Sequence, residues 1–454
     1  MNPQELKKSI CQRELEYGCY DPKIEGITIY TLIRREVRAS VEREAGFQVM
    51  DVSMKVNKKA ALRSSFISFL HLIRLFLRRK RYTTVFNAFP RVDRINGVYM
   101  DKFTDSVIEE GGIAGDYLIL DHGRAGVHPK PRFHDDKIVY WDFLHVIARV
   151  YTVIFYKRFE RKHQKVFDDV FMSIEKAFDL KFDRATYVKM FYQNFLLINM
   201  LQVILRKKAT KQVIGPARPL HLFIAAHRLG IKAIELQHGI TYGETTLYSG
   251  YQDPLLVPDV FLAFGDNRPL NVYGIDESKI VNVGWALWDF LARLKKNSQS
   301  EKKDILVISE PEVTDAIINA VVILAESYPD NTFFVRPHPH EIITDQQKSI
   351  INSKKNVMLQ DCHINITEAM MNFDYVIGEN STVIYEALSE KKKVGRLFFE
   401  GLHPKYLQPE DKDCFWEIHN TDDFRTYLED DLSARRSKSI YSKFNKEKFL
   451  SILE

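Results

Sequence analysis

Two short motifs in the second half of the chain carry residue types that suit the binding of a phosphate. The first, RPHPHE at 336–341, follows a strand-like run, and the second, GENST at 378–382, follows another run and precedes a helical pattern. Ligands bind at the carboxyl ends of strands in an open α/β sheet, and a helix N-terminus offers unpaired N–H groups to an anion. Imidazole, guanidinium and hydroxyl groups at such an edge indicate a site for a phosphorylated ligand, and a sugar nucleotide fits it best.

In the first motif, the prolines on either side of His338 hold the backbone extended and keep it from starting a helix. The imidazole would then project from the strand end, where it could bind a phosphate oxygen and stabilise a leaving group. Arg336 could add a bidentate contact. The alternative is a loop histidine that bonds a carbonyl, but so dense a motif favours a functional role.

In the second motif, Gly378 permits a tight turn, and Ser381 could either cap the next helix or face a phosphate. Glu386, one turn further on, could accept hydrogen bonds from ribose hydroxyls or lie on a solvated face. A third strand-like run is followed by Ser309 and Glu310. The predicted donor-binding residues are Arg336, His338, His340, Glu379, Asn380, Ser381, Thr382, Glu386, Ser309 and Glu310.

A comparable strand end in the first half of the chain is ELQHG at 235–239. His238 would lie at the strand tip beside a glycine that lets a substrate approach. It could act as the general base for an acceptor hydroxyl or contact a phosphate or a sugar; an ordinary strand-end turn is the alternative. DHGR at 121–124 is a weaker candidate of the same type. The residues predicted to line the acceptor side are Glu235, Gln237, Gly239, Tyr242, His122 and Arg124.

Strand-like and helical segments alternate through most of the second half of the chain, which predicts βαβ units and parallel sheets. Right-handed crossovers place all βα loops of one sheet on one edge. We therefore predict an α/β fold of two Rossmann-like domains that face each other across a cleft, 1–292 and 304–454. The polar segment 293–303 is the predicted linker, and the last helix could cross back to the first domain. Helical periodicity over 139–208 predicts an insertion in the first domain that suits acceptor binding or simply packs.

Composition limits the function classes. The chain has 454 residues and a formal net charge of +5, which is too weak a bias to indicate a nucleic-acid partner. The P-loop, G-x-G-x-x-G and zinc-binding patterns are absent from the sequence, so no cofactor or metal is expected. Four scattered cysteines, no apolar leader and no apolar run near the ~20 residues of a membrane span predict a cytoplasmic protein, at most bound to the inner face of the membrane.

The segment 66–81 has features of a helix that binds a membrane surface. Apolar residues in 66–81 fall on one helical stripe, and arginines and lysines cluster at its end. The stripe comprises Phe66, Phe69, Leu70, Ile73, Phe76 and Leu77. A basic amphipathic helix can lie in the interface of an anionic membrane. The favoured interpretation is instead a domain helix whose last-turn cations complement its dipole.

The order and placement of three motifs resemble bacterial surface-polysaccharide glycosyltransferases of the GT-B fold. These motifs are 230–239, RPHP at 336–339, and ENST at 379–382 with YEAL at 385–388. Similar patterns occur in capsule-synthesis proteins, sialyl- and polysialyltransferases, Kdo transferases and teichoic-acid glycerophosphotransferases, and the resemblance covers roughly residues 210–400. It implies a metal-independent glycosyltransferase that moves a sugar from a CMP- or UDP-type donor to a surface glycan or lipid-linked glycan.

The resemblance also implies residue roles. His338 would match the histidine that contacts the donor phosphate, and Ser381 with Thr382 would match the family's phosphate-binding pair. Sialyltransferase-like members use an acidic motif as the base, and only Glu109-Glu110-Gly111 has its letters. The predicted catalytic residues are therefore His238, His338, Glu110 and Asp121. A sugar-nucleotide 2-epimerase or a glycerophosphotransferase on the same fold, and a non-catalytic polysaccharide-assembly subunit, are the alternatives.

Overall fold

The computed structural model describes most of the chain. The described residues are 3–46, 58–89, 92–113, 115–123, 126–239, 245, 248–265, 274–294, 304–338, 341–360, 366–390, 392–406, 409–431 and 441–454. Three predicted site residues, Arg124, Tyr242 and His340, lie outside these ranges, as does 295–303 of the predicted linker.

The first half of the chain builds a lobe around a seven-stranded sheet. The strands of the whole lobe, of which seven form this sheet, are β1 (Lys23–Ile24), β2 (Ile27–Thr28), β3 (Thr84–Asn87), β4 (Asp93–Ile95), β5 (Val98–Met100), β6 (Tyr117–Asp121), β7 (Ile138–Tyr140), β8 (Gln212–Pro216), β9 (Lys232–Leu236), β10 (Val260–Ala263) and β11 (Ile280–Asn282). Its helices are α1 (Pro3–Glu16), α2 (Ile29–Glu44), α3 (Lys58–Leu77), α4 (Thr104–Gly111), α5 (Asp142–Lys162), α6 (Gln164–Phe178), α7 (Arg184–Lys207), α8 (Leu220–His227) and α9 (Ala286–Leu294). Two antiparallel pairs, β1–β2 and β4–β5, stand apart from a parallel sheet in the order β11-β10-β9-β8-β3-β6-β7.

Strands β3, β6 and β8 are buried along their whole length, as expected for a parallel sheet with helices on both faces. Successive residues of a strand point to opposite faces. Val85 accordingly joins the cluster formed with the helices α2 and α5–α8, whereas its neighbour Phe86 joins a second cluster on the other face. The helical pattern over 139–208 corresponds to α5, α6 and α7, and it breaks after α6 at Asp179, which has a φ of 53°.

The second half of the chain builds a six-stranded lobe. Its strands are β12 (Ile305–Ile308), β13 (Phe333–Arg336), β14 (Val357–Leu359), β15 (Tyr375–Gly378), β16 (Lys393–Leu397) and β17 (Trp416–Ile418). Its helices are α10 (Thr314–Ser327), α11 (Asp345–Asn352), α12 (Ile366–Met370), α13 (Thr382–Ser389) and α14 (Thr421–Glu429), and α15 (Lys446–Leu453) ends the chain. All pairings are parallel, in the order β14-β13-β12-β15-β16-β17. The alternation of strands and helices therefore produced the two parallel sheets that the sequence predicted.

The last segment of the chain returns to the first lobe. The Ser442 N–H donates to the Phe264 carbonyl at 2.9 Å, and the Asn445 N–H donates to the Val283 carbonyl at 2.7 Å. Helix α15 then contacts α4, and the Leu453 carbonyl accepts from the Gln212 side chain at 3.2 Å. One hydrophobic cluster contains residues of both sheets and of this segment, so the two lobes pack on each other through a shared core.

Five of the six residues of the apolar stripe of α3 do not face the core, whereas Phe76 is half-buried against it. Phe66 and Leu77 expose 62% and 78% of their surface, and Phe69, Leu70 and Ile73 are exposed as well. The inner face of the helix carries Ser64, Ser68, Leu72 and Leu75 instead. The helix is packed on the domain, as the favoured interpretation had it, but its large apolar side chains point to solvent.

The return of the chain can be tested at Gly284, which has a φ of 79°. A Cβ there would overlap the Lys443 carbonyl, so Gly284→Ala combines an unfavourable φ with a backbone clash. We expect a loss of about 3 kcal/mol in the free energy of unfolding by urea. Gly230→Ala is the control, since Gly230 has a φ of 66° but nothing within 4 Å of the added Cβ, and it should cost only about 1 kcal/mol. Equal losses in the two variants would contradict the packing at Gly284.

Candidate functional site

The register of the second sheet brings three predicted motifs to one edge. Ile308, the last residue of β12, pairs with Arg336 at the end of β13 and with Gly378 at the end of β15. The segments that follow these strands, 309–310, 337–338 and 379–381, therefore begin at the same level on adjacent strands. His338 and Ser381 are both half-buried, so each retains some exposure to solvent.

A single carboxylate organises the turn that carries His338. Glu341 accepts hydrogen bonds from the Ser309 hydroxyl at 2.8 Å, from the Thr314 hydroxyl at 2.7 Å and from the His338 N–H at 2.8 Å. The Glu341 N–H donates back to the His338 carbonyl at 2.8 Å. The backbone of His338 is thus tied to the ends of β12 and α10, and Ser309 supports this turn. Arg336, at the end of β13, is buried, with 5% of its surface exposed.

The start of α13 is met by a protein carboxylate. Glu310 accepts from the Asn380 N–H at 2.9 Å, and the Ser381 N–H also stabilises its charge. Burial nevertheless raises the pKa of Glu310. The Ser381 hydroxyl caps the helix by accepting from the Val383 N–H at 3.3 Å, and Thr382 is the first helical residue. Of the two alternatives for Ser381, the structure shows the helix cap.

Two other residues of this motif hold a neighbouring loop. The buried Glu379 accepts from the His403 N–H at 2.7 Å, and the Asn380 side chain accepts from the Lys405 N–H at 2.6 Å. Arg396, at 0% exposure, donates to the Lys405 carbonyl at 2.8 Å. These contacts place the loop at 403–405 beside the start of α13. Glu379 and Asn380 thus have structural roles that the sequence did not indicate.

Glu386 faces the first lobe rather than solvent. The alternative that it lies on a solvated face is therefore wrong. It is buried, and burial raises its pKa, while the charge of Lys102 in the first lobe lowers it. Its Oε2 atom is buried without a hydrogen-bond partner among the residues that the structure describes. A carboxylate oxygen in that position can accept a hydrogen bond from a ligand hydroxyl.

In the first lobe, His238 ends a buried chain of polar groups. The Tyr248 hydroxyl donates to Glu235 at 2.8 Å and lies 3.1 Å from Nδ1 of His238, and Arg218 donates to the other oxygen of Glu235 at 3.1 Å. Because the tyrosine proton goes to the carboxylate, the hydroxyl oxygen accepts from Nδ1–H, and Nε2 of His238 keeps its lone pair. Burial lowers the pKa of His238 to about 4, so the ring is neutral at pH 7.

Two predicted acceptor-side residues prove to be buried supports for this strand end. Glu235 is completely buried under Tyr248 and Arg218, so it orients His238 and does not line an open surface. Gln237 is also buried, accepts from the Phe264 N–H at 2.8 Å and donates to the Gly239 carbonyl at 3.1 Å. The sequence placed these residues at the right strand end but did not reveal their burial, and it missed Arg218.

The other two predicted bases lie in different surroundings. Glu110 is near the C-terminal end of α4 and is ion-paired with Arg293 of α9, away from the strand ends. The structure therefore does not bring it together with His238. Asp121 does end a strand, but it is buried 3.6 Å from Arg132, and burial raises its pKa. Asp121 thus belongs to a buried ionic cluster around Arg132, next to the carboxyl end of β6.

That cluster contains two acids that the sequence analysis missed. Asp105 forms an ion pair with Arg132, and Asp101 accepts from the Phe89 N–H at 2.7 Å and the Phe103 N–H at 2.9 Å. Burial raises the pKa of both carboxyls. Their spacing of four residues at the start of a helix is a signal that could have found them. The rings of Phe89 and Phe103, which Asp101 positions, lie 6.0 and 6.4 Å from that of His238.

A pocket of about 280 Å³ opens at the carboxyl ends of β3, β6 and β8. It contains the predicted His122 and two histidines that were not predicted, His145 and His221; the rings of His122 and His221 each lie 6.2 Å from that of His145. The Nδ1 atom of His122 and the indole N–H of Trp141 are buried without partners among the described residues. Burial lowers the pKa of His145 to about 4 and of His221 to about 3.

Metal ligation does not explain this group. Within the part of the chain that the structure describes, no group of three or more His, Cys, Asp or Glu side chains could hold a metal ion. The pocket presents the neutral rings of His145 and His221 and the unpartnered indole N–H of Trp141, which can donate to a hydroxyl or anionic oxygen. The expectation of a metal-independent protein stays a prediction.

Comparison with known proteins supports the fold. No protein-family model and no curated protein matches the chain. The UDP-GlcNAc 2-epimerase of Methanocaldococcus jannaschii is similar in structure, with a TM-score of 0.51 and 14% identity over 82% of this chain and 99% of its own. The Neisseria meningitidis UDP-GlcNAc 2-epimerase, solved with UDP-GlcNAc, gives 0.51 and 14% over 82% and 98%. S. aureus TarM overlaps more weakly, with a TM-score of 0.37 and 14% identity over 58% of this chain and 59% of its own.

The similarities to the two epimerases establish the architecture and not the reaction, because the sequence identity is only 14%. The chain has the GT-B-like fold of two Rossmann-like lobes, and the prediction of that fold class is confirmed.

The neutral state of His221 can be tested through pH. Below about pH 6.5 the unfolded chain binds a proton at this histidine that the folded protein does not bind, so the wild type loses stability as pH falls. His221→Gln lacks this group. We expect the wild type to lose roughly 1 kcal/mol relative to the variant between pH 6 and pH 5 in urea unfolding. A difference between the two proteins that does not change with pH would contradict the burial of a neutral ring.

Proposed function

We propose that the protein is a metal-independent glycosyltransferase that moves a sugar from a CMP- or UDP-type nucleotide donor to a bacterial surface polysaccharide acceptor. One observation carries the proposal. Lys102 of the first lobe lies 5.3 Å from the ring of Phe103, which is beside His238, and its charge acts on the carboxyl of Glu386 in the second lobe. This supports a common region between the lobes for the candidate base and the candidate ribose contact.

The donor would lie along the edge of the second sheet. His338 and the N–H groups at the start of α13 would stabilise the charge that develops on the leaving phosphate. Glu386 would accept from ribose hydroxyls. Because Glu310 already accepts from the Asn380 N–H, a bound phosphate would share or replace that contact.

The acceptor would approach from the first lobe. Its hydroxyl would lose a proton to the Nε2 lone pair of His238 and attack the anomeric carbon, while Tyr248 and Glu235 hold the ring in place. Phe89 lies beside the ring of His238, and Arg218 donates to Glu235 in the same chain of polar groups. Both residues also line the pocket that contains His122, His145 and His221, which we call the histidine pocket. That pocket, with His122, is our candidate for binding the hydroxyls of the acceptor glycan.

A 2-epimerase is the second candidate, and the buried acids favour it. Inversion at a sugar carbon needs one group that removes a proton and another that returns one. Neutral His238 and the raised-pKa carboxyl of Asp101 would be such a pair, because Asp101 binds the N–H groups of Phe89 and Phe103, whose rings lie 6.0 and 6.4 Å from that of His238. The similarity to UDP-GlcNAc 2-epimerases adds the fold alone.

Donor binding is tested by a thermal-shift panel of CMP, UDP, GDP and CDP compounds. A nucleotide at a hundred times its Kd should raise the melting temperature by about 3 °C. We expect only one base to do so strongly, and His338→Ala and Ser381→Ala to reduce that shift by at least half. Ser327→Ala is the matched control, because its exposed hydroxyl donates to the Ile323 carbonyl within α10 at 3.2 Å. If both site variants keep the full shift, the donor site is elsewhere.

The reaction is tested with the selected nucleotide carrying a labelled sugar. A glycosyltransferase transfers label to a glycan, releases the nucleotide in equal amount and requires an acceptor. We expect His238→Gln to lower this rate about 100-fold or more, because the variant lacks the proposed general base. Label that appears in an isomeric sugar nucleotide without any acceptor would instead identify the epimerase.

A further inference from the structure

The outer face of the first lobe has an unusual composition of exposed side chains. Helix α3 exposes its apolar stripe, and the neighbouring α5 exposes Val150, Val153 and Ile154, the last two at 67% and 62%. The helices contact each other, and the rings of Phe69 and Phe143 lie 5.0 Å apart. Large exposed apolar surfaces on soluble domains mark sites of interaction.

The polarity of α3 is inverted relative to a helix that packs on a core. Its inner face is bound by hydrogen bonds: the Ser68 hydroxyl donates to the Tyr140 carbonyl at 2.8 Å and accepts from the Phe143 N–H at 2.9 Å. Ser64 lies 2.8 Å from the His128 ring, and the Tyr140 N–H donates to His71 at 3.3 Å. Serines, together with the buried Leu72 and Leu75, thus attach the helix to the lobe, while most of its large apolar residues are left outside.

The positive charge around the apolar residues of α3 and α5 indicates that the partner of this surface is anionic. Between 58 and 81 the sequence has eight lysines and arginines and no acidic residue, and α5 adds exposed Arg149, Lys157 and Arg158. A cavity beside α3 is lined by Arg74, Arg78 and Lys130. Two nearby acids, Asp135 and Asp136, are engaged by Lys130 and Lys137 at 3.1 Å, whereas Arg74 and Arg78 form no ion pair with any described residue.

From this geometry we propose that α3 and α5 form a docking surface for a membrane rich in anionic lipids. The apolar side chains enter the boundary between headgroups and acyl chains, and the surrounding cations bind phosphate headgroups. A second copy of the chain fits less well, because pairing two such faces would bring cations together without acids to balance them.

The structure favours a helix that lies in the interface over one that spans the bilayer. By length and composition, α3 and α7 are the two described helices that could cross a membrane, which the sequence analysis did not expect. However, α7 packs in the helical layer through Phe191, Ile198 and Leu201, and α3 is attached along its serine face. Both helices are therefore integral to the folded lobe.

Vesicle co-sedimentation of the full chain tests the proposal. We expect strong binding to vesicles that contain a quarter phosphatidylglycerol, little binding to pure phosphatidylcholine, and weaker binding at high salt. Phe66→Ser with Leu70→Ser, and separately Arg78→Glu with Arg79→Glu, should each lower the binding at least tenfold. All four positions are exposed, so the fold should persist, and circular dichroism checks this. Ile323→Ser, at an exposed position on α10 of the other lobe, should bind as the wild type does.

Other outcomes would overturn the proposal. Absence of vesicle binding, or binding that neither double variant reduces, would exclude this surface. A wild-type dimer that the Phe66 and Leu70 substitutions dissociate, without vesicle binding, would assign the face to a second copy. The proposal does not depend on the proposed reaction: His338→Ala should leave vesicle binding unchanged, even if it abolishes the response to nucleotides.

Discussion

Parallel pairing at Ile308 is the constraint on which the candidate site depends. Ile308 pairs with the last residue of β13 on one side and the last residue of β15 on the other. Both flanking strands therefore end at the same height, and the polar segments that follow meet on one edge. Motifs about forty residues apart in sequence become neighbours because side-by-side strands of equal direction place their βα turns together.

Carboxylates that are half-buried (Glu341 and Glu310) or fully buried (Glu235) then fix the turns at the strand ends. Glu341 holds the His338 turn, Glu310 holds the start of α13, and Glu235 holds His238 through Tyr248. Each accepts hydrogen bonds from groups that would otherwise be unpaired, which offsets part of the cost of burying its charge. The carboxylates hold the two histidines in fixed positions and leave Nε2 of His238 able to accept a proton, as a preorganised site requires.

The first lobe joins this site to its outer surface through one helix. Trp141, just before α5, and His145 in its first turn line the histidine pocket, and Val150 lies only five residues further on, about 7.5 Å along the axis. If the outer face lies on a membrane, the pocket is close to the headgroup layer. An acceptor attached to a lipid could then reach the lobe that carries His238.

Sequence patterns were enough to predict the parallel two-lobed fold and the strand ends that carry polar residues, because hydrophobic periodicity and turn residues are local signals. They also indicated His238, His338 and Ser381 at those ends. The folded structure was needed to show which acids are buried supports, as for Glu235, and that Glu110 lies apart with Arg293. It alone assembled His122, His145 and His221 from three distant segments, and it turned the stripe of α3 outward. Periodicity shows that a helix has two faces, whereas which face meets the core depends on hydrogen bonds such as that of Ser68 to Tyr140, made with residues far away in the chain.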